Sequence, residues 1–324
     1  MAENVEQLNN EGVKLFLKGN IKEAKSKYNK ALKINPLYAA TLNNLGMVSL
    51  QEKNFIKATN YFKNALKIKE SATYFLNLGH AYANLNSFKL AEGQYIKAID
   101  KAPDSLMGYK SLASLYQVQK QYDESVKVWE YIIANLSHDV SFKLHLAKDY
   151  IQLKEYQSAL SVLYEASKQE KQQELTWYYI SLIHFNSKNF GLAETAVKNA
   201  LHIKPKELSF KSLLAAIHLG LSDVENAIKQ WDEILAIEPF NDKIRIDKGV
   251  TLLSQGFIKE SLNELNIVLR NDSKNEKANY YKAIAFLEAN KLNDAISILN
   301  SIVNTGGAFK EGAEKVLNKV NKKS

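Results

Sequence analysis

A small residue returns every 33 or 34 positions along most of this chain. Ala24, Ala58, Ala91, Ser125, Ala159, Ala193, Ala227, Ser261 and Ala295 form one series. Gly12, Gly46, Gly79, Ala113, Ala147, Ser181, Ala215, Gly249 and Ala283 form a second, twelve positions earlier in each copy. Four residues after each member of the first series comes a bulky apolar or aromatic residue: Tyr28, Phe62, Tyr95, Trp129, Leu163, Val197, Trp231, Leu265 and Leu299. A register held over about nine copies restricts the fold to structural repeats that stack on one another.

Around both series the apolar residues are spaced as on one face of a helix, as in Leu8, Leu15 and Phe16, or Leu112, Leu115 and Tyr116. Short breaks separate the two series, among them Lys18-Gly19-Asn20, Glu52-Lys53-Asn54 and Gln255-Gly256. Each copy therefore reads as helix A, a tight turn and helix B. A small residue on helix A lets helix B come close, and the large residue of B fills the space beside it. Pro36, Pro103, Pro205 and Pro239 follow helix B, where a residue without an N–H stops the hydrogen-bond ladder. One such hairpin cannot cover its own apolar face, so stability comes from stacking neighbours.

The third copy, with Phe75, Leu78, Gly79, Tyr82, Ala91, Tyr95, Ala98 and Pro103, resembles the tetratricopeptide repeat (TPR) signature. The resemblance runs over residues 5–307, with repeats starting near 5, 39, 72, 106, 140, 174, 208, 242 and 276. It weakens after the fourth repeat. Lys143, Lys211 and Arg245 stand where the family has its first aromatic, and His184 and His218 replace its tyrosine. The fold it implies is all-α: a right-handed α-solenoid superhelix of about nine hairpins. Residues 308–324, with Phe309, Ala313, Val316, Leu317 and Val320, read as a C-terminal capping helix and basic tail. A partner-seeking tail is the alternative reading of that segment.

Composition narrows the function. There is no cysteine, which removes disulfides, thiolate metal sites and cysteine nucleophiles. None of the six histidines falls in a metal-binding spacing, and no glycine-rich phosphate loop or nucleophile elbow is present. No catalysis, cofactor or metal is expected. The formal charge of +8 raises nucleic acid as a partner. However, Arg245 and Arg270 are the only arginines, and arginine is the side chain that clamps phosphate and reads guanine. The N-terminus lacks a basic, then apolar, leader, and no apolar run is long enough to span a bilayer. A cytoplasmic protein without membrane insertion is the resulting expectation.

In the TPR family helix A lines the concave surface. The resemblance therefore points Asn10, Asn44, Asn77, Ser111, His145, Tyr179, Leu213, Asp247 and Tyr281 into a groove, each two residues before the small helix A position. The three asparagines resemble the asparagine ladder of O-linked N-acetylglucosamine transferase superhelices, in which amides hold a peptide backbone. An amide both donates and accepts, so it pairs with a peptide unit whatever its side chain. The basic members of the family's carboxylate clamp are missing from the first three repeats. Asn10, Asn44, Asn77, His80, Lys110, Lys148 and Tyr179 are the candidate groove residues, and an acidic or aromatic-bearing segment would suit the two lysines together with the aromatic surface of Tyr178, Tyr179, Tyr280 and Tyr281. The expected function is a non-catalytic scaffold binding an extended peptide or partner helix. An RNA-binding solenoid and a self-associating structural protein are the alternatives.

Overall fold

The computed structural model describes residues 4–168 and 174–321 and is all-helical throughout them. It forms two compact units, divided at Gln169. The first holds five antiparallel hairpins: α1 (Val5–Leu17) with α2 (Ile21–Ile34), α3 (Ala39–Gln51) with α4 (Phe55–Ile68), and α5 (Ala72–Asn84) with α6 (Phe88–Lys101). Then come α7 (Leu106–Val118) with α8 (Tyr122–Asn135), and α9 (Val140–Gln152) with α10 (Tyr156–Ser167). The second unit pairs α11 (Glu174–Asn186) with α12 (Phe190–Ile203), α13 (Leu208–Gly220) with α14 (Val224–Ile237), and α15 (Asp242–Ser254) with α16 (Ile258–Asn271). It ends with α17 (Glu276–Glu288), α18 (Leu292–Thr305) and α19 (Lys310–Asn321).

Each turn from helix A to helix B uses one residue in the left-handed region. Gly19 and Gly256 take it without a steric penalty, at φ 81° and 80°. Lys53, Lys120, Lys154 and Lys188 adopt it at φ between 57° and 62°, at a cost of about 1 kcal/mol each. The compensation is local: the next amide turns back to cap the preceding helix. Asn20 N–H donates to the Leu15 carbonyl at 2.9 Å, Asn54 N–H to Ser49 at 2.8 Å and Gln121 N–H to Tyr116 at 2.8 Å.

Within the hairpins the two small-residue series meet the bulky one. The rings of Tyr28, Phe62 and Tyr95 lie flush on Gly12, Gly46 and Gly79. A Cβ built on those glycines would come within 2.4, 2.4 and 2.5 Å of the ring carbons. Ala24, Ala58 and Ala91 are fully buried beside them. Gly249 is less pressed, because its partner is Leu265 and the nearest atom lies at 3.3 Å.

The departures from the family signature follow a rule visible only in space. The first-aromatic position of helix A faces a residue 22 positions on, in helix B of the same hairpin. Phe75 there meets the Lys97 ammonium, 5.8 Å from its ring centroid, and Tyr109 stacks on Tyr131 at 5.0 Å. Where helix A carries lysine, helix B carries glutamate: Lys143 pairs with Glu165 at 2.5 Å, and Lys211 pairs with Glu233. Arg245 finds Glu264 instead, which also takes Lys248 at 2.8 Å. At Lys143 and Lys211 the departure from the signature is thus matched by an acidic partner across the hairpin. Such a half-buried pair contributes little net stability, since desolvation offsets much of its attraction.

The second unit closes on α19. Gly306, at φ 74°, ends α18 and turns the chain. The Glu276 carboxylate, at the start of α17, then accepts the amides of Ala308 and Phe309 at 3.0 and 2.7 Å. Phe309, Val316 and Leu317 pack over Leu299 and Ile302, leaving Lys310, Glu311, Glu314 and Lys315 outside. Residues 322–324 of the expected tail lie outside the described residues.

The glycine contacts yield a graded prediction. Gly79→Ala should destabilise the chain by about 1–3 kcal/mol through overpacking against Tyr95. Gly249→Ala should be neutral or stabilising, since Leu265 can yield and alanine is the better helix former by about 1 kcal/mol. Urea unfolding midpoints of the two variants measure this; equal losses would show that ring contact does not set the requirement for glycine.

Candidate functional site

The asparagines of the first three A helices come together, but their amides face one another. Asn44 Nδ2 donates to Asn9 Oδ1 at 2.9 Å, and Thr41 Oγ1 donates to the same oxygen at 2.9 Å. One repeat later Asn77 Nδ2 donates to Asn43 Oδ1 at 2.8 Å. Asn9, Asn43 and Asn77 are buried, Asn44 is half-buried and Asn10 is exposed. The run therefore links successive A helices. The acceptor in each link sits one position before the donor's own register. Reading one asparagine per repeat, without its neighbours Asn9 and Asn43, misses the link.

His80 and Lys110 come together in a cleft of about 460 Å³ between α5 and α7. His80, Ala83 and Asn84 of α5 form one wall, and α7 forms the other with Met107, Lys110, Ser111, Ser114 and Val118. Phe88, Tyr95 and Leu115 supply the floor. The α7 residues recur at the spacing of a single helix face. Met107 and Val118 are apolar, yet 53% and 68% exposed. Their periodicity is plain in the sequence, but nothing there separates exposed from covered members of the face. His80 Nδ1 pairs with the Tyr95 hydroxyl at 2.9 Å. Burial holds the imidazole below its ordinary value and pushes the Tyr95 phenol up to about 12, so both are neutral at pH 7.

Next along the first unit, the Lys110 ammonium lies 5.7 Å from the centroid of the Phe142 ring. His145 stacks on Trp129 at 4.8 Å with the planes 16° apart. Burial lowers the His145 value, and the positive charges of Lys148 and Lys110 lower it further. Lys148 is half-buried on the same helix. Below them Asp149 is buried and accepts Ser125 Oγ at 2.6 Å and Gln117 Nε2 at 2.8 Å. Burial raises its carboxyl against the pull of these donors. Tyr179 belongs to the second unit, half-buried edge-on against Tyr178 at 5.5 Å. That unit has its own cleft of about 350 Å³, where Lys277 and Asp247 pair at 3.1 Å beside Tyr281.

Two stretches, residues 39–72 and 246–310, match sequence models of the tetratricopeptide repeat. One match lies in the first unit and one in the second, on hairpins built alike. The chain carries tetratricopeptide repeats in both units. As a TPR protein it is of a scaffold class that typically mediates protein–protein interaction without catalysis. The BBSome complex member BBS4 of Bos taurus is 22% identical over 76% of this chain and 54% of its own length. The chain thus spans about half the length of that relative. The C-terminal part of a TPR repeat-containing protein from Cytophaga hutchinsonii superposes with a TM-score of 0.63 at 18% identity, over 72% of this chain and 97% of that one. Pseudomonas aeruginosa pilF gives a TM-score of 0.52 at 17% identity, over 65% of this chain and 96% of its own. Both likenesses are of fold. No described helix of the TPR chain is long and apolar enough to cross a membrane.

Two outcomes follow for the TPR face. Asn77→Ala strips a donor from buried Asn43 and should cost about 1–3 kcal/mol, whereas Asn10→Ala, on an exposed side chain, should cost almost nothing. Denaturant titration separates them, and equal effects would remove the linking role. For His80 the unfolded chain binds a proton more readily than the folded one. Its contribution is therefore complete above about pH 6.5 and is lost as pH falls through the window below it. His80→Gln should flatten the fall in urea midpoint between pH 7.5 and 5.5; an unchanged slope would assign the fall to other groups.

Proposed function

We propose that the helix A face of the first unit holds an extended segment of a partner protein. The observation that carries this reading is the α5–α7 cleft, where exposed Met107 and Val118 flank Lys110 and two serines. Exposed apolar side chains beside unsatisfied polar groups are the usual composition of a recognition groove. Asn44, half-buried with one amide hydrogen given to Asn9, keeps its carbonyl for a passing backbone N–H. Lys148 and His145 extend the face beyond the cleft. Asn10, exposed on α1, is a further contact on this face, while Tyr179 is a candidate contact of the second unit by itself. BBS4, similar over most of this chain, is a member of a complex, and such membership is the parallel drawn here. In this role the chain is a scaffold: it supplies a rigid surface and leaves chemistry to what it holds.

The test is capture from the native host. Wild-type chain and a Val118→Asp variant are immobilised and their retained proteins compared by mass spectrometry. Val118 is exposed, so the substitution should leave the fold intact, and circular dichroism checks this. A partner enriched at least tenfold on the wild type over the variant is the expected result. Identical sets of retained proteins would remove the cleft from the binding surface.

A further inference from the structure

We propose that the α5–α7 cleft recognises an extended acidic segment with two apolar anchors about five residues apart and a carboxylate next to one of them, a reading that rests on the groove function above. The order of side chains on the outward face of α7 is apolar, cationic, hydroxylic, apolar: Met107, Lys110 with Ser111, Ser114, Val118. At 1.5 Å rise per residue, Met107 and Val118 stand roughly 16 Å apart along the helix, and Lys110 about 4.5 Å from Met107. An extended chain covers the longer distance in about five residues and the shorter in one or two. The spacing of the anchors and the place of the carboxylate are therefore both set by α7.

The charge is set by what lines the cleft. No aspartate or glutamate lines it among the described residues. His80 is held neutral by burial, so Lys110 is the one charged side chain facing the ligand. Lys110 has no carboxylate within ion-pair distance among the described residues. Asp139, on which Lys110 acts electrostatically, has its carboxylate occupied by the Ser141 amide at 2.8 Å. Further along the face, Lys148 and Lys110 act together on His145. An ammonium resting over Phe142 and flanked by apolar surface gains most from an anionic partner that brings its own apolar side chains. Ser111 and Ser114, between the anchors, accept or donate to the intervening peptide units.

The probes are fluorescein-labelled hexapeptides with leucine at both ends, aspartate next to one end and glycine and serine between. Both chain directions are made, since α7 does not choose between them. Controls replace the aspartate by lysine, or both leucines by serine. Fluorescence anisotropy against the full chain should show one aspartate peptide binding at least tenfold tighter than either control. Lys110→Glu should abolish that preference and transfer it to the lysine peptide; Val118→Asp should weaken both. Equal binding of the aspartate and lysine peptides, or a preference untouched by Lys110→Glu, overturns the inference. So does a lack of binding by every probe at millimolar concentration. A random peptide library displayed against the same chain distinguishes this from failure of the groove reading. Peptides lost on Val118→Asp but indifferent to acid leave the groove standing without the charge rule. Peptides indifferent to Val118→Asp, Met107→Asp and Asn44→Ala alike remove both.

Discussion

Everything in this TPR chain depends on how closely helix B approaches helix A in one hairpin. In the first three hairpins the approach is set by a ring lying on a bare glycine backbone: Tyr28 on Gly12, Phe62 on Gly46, Tyr95 on Gly79. That contact fixes the separation and rotation of the pair. It thereby fixes which side of helix A is left to meet the next repeat. Because the approach recurs at each copy, neighbouring A helices meet in a constant register. Asn44 then reaches Asn9, and Asn77 reaches Asn43.

The same constraint explains where the chain tolerates variation. Positions on the ring contact stay small or bulky through all nine copies. At the first-aromatic position of helix A, by contrast, the residue and its contact in helix B differ from copy to copy. Phe75 with Lys97, Tyr109 with Tyr131 and Lys143 with Glu165 are three solutions to one geometric problem. Half-buried ionic pairs such as Lys143–Glu165 are weak stabilisers. Their recurrence here keeps lysine from being left without a counter-charge in a place that family members fill with a ring.

Much of this was legible in the residues, and the limits of legibility were physical. The period and the helical spacing announce stacked helical hairpins because only the small–large contact demands such regularity. The asparagine run was visible at Asn10, Asn44 and Asn77, whereas its use was not. An amide on a helix face has two neighbours to choose from, the adjoining repeat or a ligand, and the choice turns on fractions of a helical rotation. The cleft was half legible. His80 and Lys110 were candidates by register, but Met107 and Val118 look in sequence like ordinary apolar members of a core face.

By itself the sequence determined the class of fold, the alternation of helix and turn, and the positions where side chains must be small. These follow from local spacing and from van der Waals volume, which a one-dimensional pattern records. Only the tertiary structure decided which polar groups are spent inside the protein and which remain for a partner. It gave Asn77 to Asn43, Glu165 to Lys143 and Glu276 to the start of α19. It left Lys110 at the surface between exposed Met107 and Val118. Hydrogen bonding and ion pairing depend on distances of a few tenths of an ångström between residues far apart in the chain, and no period along the chain encodes those.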